Sequence, residues 1–242
     1  MYHLGAAYYN GDGVPVSDSL SYAWFRVAKE AGNPNAAEAV QRAESELKPE
    51  TITIGLDKIA EMYEADGSLP ENETEAARWW SVAAARGDED ARVALAVKMV
   101  SGQGVPQDLT KGRHWCDQAA KNRNHRAEYC MGHIYEQGLG VKRDPKKARE
   151  WYEPAAAAGL IQAMRALALM EIAGEGGKVD RISAFLLYAR LAESKDEGAL
   201  RSLAKLRKEI TPKEWTTLQP FLIHIRIDPA KLDRVLQRID SN

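Results

Sequence analysis

Three histidines and both cysteines of the 242-residue chain fall between positions 114 and 133, as His114, Cys116, His125, Cys130 and His133. Imidazole and thiolate are the ligands zinc prefers, and a hydrolytic zinc centre needs three of them plus an open position. A second candidate follows closely. Gly138 and Gly140 stand two apart, ahead of Asp144 and Pro145. A glycine pair that opens a helix can present backbone amides to a phosphate.

Both readings require these residues to occur once, and most belong to a copied pattern. Gly102, Gly138 and Gly174 recur at one step (138 − 102 = 174 − 138 = 36), as do Gly104, Gly140 and Gly176, and Asp108, Asp144 and Asp180. Trp79, Trp115, Trp151 and Leu187 keep the same step. A phosphate loop needs one set of glycines at one place, whereas copies at a fixed period mark a repeat array. The register also weakens the metal reading. Cys116 takes the slot of Trp80 and Tyr152, a packing position, and Cys130 takes that of Ala94 and Ala166, a small core position. His114 shares its slot with Arg78 and Glu150, which reads as solvated. Two open alternatives remain for the cysteines, a Cys116–Cys130 disulfide or two buried thiols. The pair flanks a turn at Arg123 symmetrically (123 − 116 = 130 − 123), and a bond requires an oxidising compartment and Cα atoms within about 7 Å.

Each period reads as two helices. Ala127, Met131, Ile134 and Tyr135 form an apolar stripe at i, i+4, i+7 and i+8. Gly138-Leu139-Gly140 ends it, because glycine adopts the positive φ of a helix C-cap. Asp144 caps the second helix with Pro145 at its first position, where a missing N–H costs little. Trp151, Tyr152, Ala155 and Ala156 line that helix up to Gly159, and Pro154 inside it is expected to kink the axis. One helix pair cannot bury its own stripe, so neighbours must stack.

Composition removes other classes. Lys+Arg (33) and Asp+Glu (35) nearly cancel, which leaves no basic surface for nucleic acid. No apolar run approaches the ~20 residues of a membrane span. No nucleophile with an oriented base, no G-x-S-x-G and no H-E-x-x-H is present, so the chain reads as a non-enzyme without a cofactor. The chain opens inside a repeat helix at "MYHLGAAYY"; a periplasmic location is expected if an upstream signal was removed, and a cytoplasmic one otherwise.

The pattern A-x3-LG-x2-Y-x2-G-x-GV-x2-D-x3-A-x2-WY-x2-AA-x2-G, carried by Ala127, Met131, Gly132, Tyr135, Gly138, Gly140, Val141, Asp144, Ala148, Trp151, Tyr152, Ala155, Ala156 and Gly159, resembles the Sel1-like repeat, a relative of the tetratricopeptide repeat. Five copies are anchored at Trp24, Trp79, Trp115, Trp151 and Leu187. The resemblance implies an all-α, right-handed superhelical solenoid of about five antiparallel helix pairs. A short first array is expected over 1–48, the main array over 49–209, and a C-terminal helical cap over 210–242. The first boundary rests on the step from Trp24 to Trp79, which exceeds the period (79 − 24 = 55). The extra segment, around Ala37 to Pro49, is similar to Leu200 to Pro212, as if both were helices that end an array.

In this architecture the first helices line a concave face. Half a turn from the core stripe lie Tyr129, His133 and Glu136, and the same slots elsewhere hold Val93, Val97 and Val100, and Arg165, Leu169 and Ile172. A purely solvated face should be polar, so this apolar row is expected to bind another protein. The resemblance offers a scaffold role, or a bacterial immunity protein that neutralises a secreted phospholipase-type toxin. The reading from a different class is a metal-dependent hydrolase using His114, His125 and His133, which bound zinc would favour.

Overall fold

The computed structural model describes residues 1–64, 68–193 and 197–240. Its regular structure is helical, with fourteen helices and no strand among the described residues. Two compact units divide at Ala119 and Ala120.

In the N-terminal unit, α1 (Tyr2–Asn10) pairs with α2 (Asp18–Glu30), and α4 (Pro49–Glu64) with α5 (Glu73–Ala85). α6 (Glu89–Ser101) packs on α5, and α7 (Leu109–Lys121) follows. The inserted helix α3 (Ala36–Glu46) and α4 both pack on α2. Gly55 permits the α4–α2 approach: a Cβ there would lie 2.7 Å from the Tyr22 ring and 2.9 Å from the Ser19 carbonyl oxygen. In the C-terminal unit, α8 (His125–Gln137) packs on α9 (Pro145–Ala157), α9 on α10 (Ile161–Ala173), and α10 on α11 (Arg181–Ala192). The helix α12 (Glu197–Glu209) packs on α11, and α13 (Pro212–His224) and α14 (Pro229–Asp240) cover α11 and α12.

The copied sequence positions make copied contacts. The cap glycines Gly11, Gly102, Gly138 and Gly174 have φ of 81°, 74°, 72° and 68°, a region where a Cβ is strained. Beyond them the side chains of Asp108, Asp144 and Asp180 accept from the amides of Lys111, Lys147 and Ser183 at 2.9, 3.1 and 3.0 Å, which satisfies helix-start donors left without partners. In all five pairs the amide of the second helix's N-cap residue returns to the first helix. Ser17, Asn72, Asp108, Asp144 and Asp180 donate to the carbonyls of Tyr8, Tyr63, Met99, Tyr135 and Glu171, at 2.8 or 2.9 Å. The second glycine of the motif serves stacking. A Cβ on Gly104 would lie 2.0 Å from the Glu73 carbonyl oxygen, and one on Gly176 would lie 2.4 Å from that of Pro145. The turns at Gly104 and Gly176 thus rest directly on the second helix of the preceding pair.

The aromatic pair of each second helix divides its roles. Tyr152 is fully buried while Trp151 stays half-buried, although the repeat pattern marked the tryptophan as the anchor. In α5 both Trp79 and Trp80 are buried. Pro154 stands on the exposed side of α9, which continues past it to Ala157. At the C-terminal end Leu218, Leu222 and Leu236 join the core formed by α9 to α11, and Trp215 meets Phe185 edge to face at 5.7 Å. Phe221 is 52% exposed, because Leu218 and Leu222 occupy the inner side of α13.

Candidate functional site: the first-helix faces

The face slots fare differently in the two units. On α6, Val93 and Val100 are buried, at 1% and 2% exposure, and Val97 is half-buried. The expectation that all three valines face outward therefore fails for two of them. Val100 fills the space left by Gly112 of α7, where a Cβ would lie 2.8 Å from its Cγ2. A small residue opposite a valine draws the two helices together and turns a face slot into core.

On α8, Tyr129, His133 and Glu136 remain partly exposed on one stripe. The Tyr129 and His133 rings stack, 6.5 Å between centroids and 18° between planes. Tyr129 also lies 5.6 Å from the Tyr152 ring of α9. The buried Tyr152 hydroxyl donates to Glu136 Oε2 at 2.8 Å. Burial first, then the hydrogen bond to Glu136 and its charge, push that phenol well above the usual tyrosine range. Gly132 makes room for the Tyr152 ring, since a Cβ there would sit 2.4 Å from it. The equivalent slots of α10 hold Arg165 and Leu169, both exposed, and Ile172, half-buried against the core. Leu169 is 59% exposed.

Three charged sites escaped the sequence reading. Lys98 is buried at 5% in a slot where Met62, Ile134 and Met170 are apolar. Its ammonium donates to Glu64 at 2.8 Å and also to Glu73, while Trp80 Nε1 donates to Glu64 at 3.0 Å. Burial alone would lower its pKa, but the hydrogen bonds and charges of the two carboxylates prevail and raise it. In the C-terminal unit Glu171 replaces the tyrosine of other repeats and pairs with Arg149; Glu171 Oε2 and one Arg149 nitrogen are buried without a protein partner. Asp57 on α4 carries a buried Oδ1, also without a partner. A lone charged residue in an apolar slot of the repeat was the available signal for Lys98 and Glu171; nothing at the slot of Asp57 marked it.

Among the described residues, no group of three or more His, Cys, Asp or Glu is arranged to hold a metal ion. His125 Nδ1 instead lies 2.8 Å from Glu128, and His114 is exposed. Cys116 and Cys130 are buried, at 0% and 2%, and neither is a free thiol. No described helix is long and apolar enough to cross a membrane.

Helix pairs with repeated caps, stacked through a second glycine, define a helical-repeat protein. The Sel1 repeat profile matches residues 1–33, 55–88, 90–124, 125–160 and 161–196, so the chain belongs to the Sel1 repeat family. Proteins built of Sel1 repeats generally serve as protein-interaction modules. A Sel1 repeat protein from Oxalobacter formigenes is similar in fold, with a TM-score of 0.58 over 84% of this chain and 73% of that one, at 24% identity. The protective antigen c5321 of uropathogenic Escherichia coli strains, which displays an SLR fold, matches with a TM-score of 0.52 over 85% of this chain, at 25% identity. This chain spans 40% of that antigen's structure. No curated relative matches in sequence.

Proposed function

We propose that the chain is a non-enzymatic binding module whose first-helix face on α8 and α10 receives a partner protein. Leu169 carries the reading. It is the most exposed of the apolar face residues, and a leucine held in water forfeits the burial that stabilises its neighbours Leu167 and Ala168. Its side of α10 is the side on which α8 displays Tyr129 and His133, one period earlier (169 − 133 = 36). Arg165 adds a polar rim. Aromatic and arginine side chains around an apolar centre are the composition of protein interfaces.

A photoreactive benzoylphenylalanine placed at Leu169 tests it directly. Irradiation in cells of the source organism should join the chain to one protein at that position. The same group at Glu150, exposed on a second helix, should not. Equal yields at both positions, or no product at 169, would refute the assignment.

The pairing of Cys116 with Cys130 is also part of this proposal, and it implies folding in an oxidising compartment. Alkylation of the denatured chain should label no thiol before reduction and both afterwards.

A further inference from the structure

We infer that Tyr129, His133 and Glu136 receive an arginine side chain of the partner protein; this rests on the protein-binding reading above and names the partner's chemistry. The three residues stand at i, i+4 and i+7 of α8 and so share one face. The two rings stack nearly parallel, at 18°. Glu136 follows on the same stripe. Its Oε2 accepts from Tyr152, while its Oε1 has no protein partner among the described residues. Burial, and then the charge of Glu136, hold the Tyr129 hydroxyl above its ordinary pKa.

A partly exposed aromatic stack beside a carboxylate with a spare oxygen matches a guanidinium. Arginine stacks on rings, is weakly hydrated and donates in-plane to carboxylates, whereas lysine offers a compact, strongly hydrated charge. Elsewhere the chain covers such rings with its own cations: Lys147 lies over Tyr135 at 5.2 Å and Arg207 over Trp215 at 4.1 Å. Tyr129 and His133 have no such cation among the described residues. Arg165, at the Tyr129 slot of α10, already has a partner of its own.

The probe is N-acetyl-arginine amide, titrated while the ring resonances of Tyr129 and His133 are followed by NMR. Both should shift saturably. The lysine amide should bind at least threefold more weakly, and the uncharged citrulline amide should give no saturable shift. Glu136→Gln retains an oxygen for the Tyr152 hydroxyl, so its melting temperature should hold while arginine affinity falls about tenfold. His133→Ala, which removes one ring from a partly exposed stack, should also weaken binding. Equal shifts with citrulline amide, or unchanged affinity in both variants, would overturn the inference. Absent arginine binding with crosslinking at Leu169 intact would refute the arginine site and leave the binding face standing; arginine binding with no crosslink at 169 would do the reverse.

Discussion

Asp57 is the residue at which local electrostatics most plainly oppose folding. Burial first, then the charges of Asp88, Glu61 and Asp90, raise its carboxyl from 3.8 to about 7, against a small opposing effect of Lys58. The folded chain therefore holds a proton there that the unfolded chain has lost, between roughly pH 4 and 7. Stability from this site is greatest below that window and is lost as pH rises through it. Asp57→Asn should raise the melting temperature at pH 7.5 and have little effect at pH 4, as read from calorimetric scans across that range. An equal shift at both pH values would show that the carboxyl is not desolvated. Arg123 illustrates a different residue-scale effect. It takes φ 61° at the turn where Gly87 and Gly159 stand in neighbouring repeats, a position where a side chain is strained.

At the scale of elements, stacking depends on what the turn glycines touch. Gly13, Gly104 and Gly176 all have positive φ, but only the latter two press on backbone; nothing lies within 4 Å of a Cβ on Gly13. Gly13→Ala should cost about 1 kcal/mol, from conformational strain alone. Gly104→Ala and Gly176→Ala should each cost at least about 2 kcal/mol, since a repeat must also move off its neighbour. Denaturant melts of the three variants decide it, and equal losses would deny the stacking role. The Arg149–Glu171 pair behaves as a buried salt bridge. Arg149→Leu alone should destabilise by about 3 kcal/mol, because it strands a carboxylate 7% exposed. Adding Glu171→Met, the residue type of Met99 at that slot, should recover most of the loss in the same melts.

Across the whole molecule, what repeats was legible and what departs from the repeat was not. The 36-residue step located the four helix pairs from α4 to α11, because each glycine and cap answers to a local backbone requirement that any copy must meet. The insert was legible as extra chain, but its packing was not: the close approach of α4 to α2 depends on Gly55, which stands where later repeats carry Ala91, Ala127 and Ala163. The face slots were half legible. Period places Val93, Val100, His133 and Leu169 half a turn from the core stripe, but cannot say that Gly112 draws α7 onto Val100. Only tertiary packing separates the buried valines from the exposed Leu169.

If part of the first-helix stripe is spare for folding and used for binding, paired melting and partner capture of Leu169→Asp and Phe185→Ala separate the two roles. Leu169→Asp should change stability by no more than about 0.5 kcal/mol and reduce capture of the crosslinked protein by at least tenfold. Phe185→Ala, in a fully buried slot, should lower stability by about 3–5 kcal/mol while the fraction still folded binds normally. A Leu169→Asp variant that folds and captures the partner at the original level would show that the α10 face is not the binding surface.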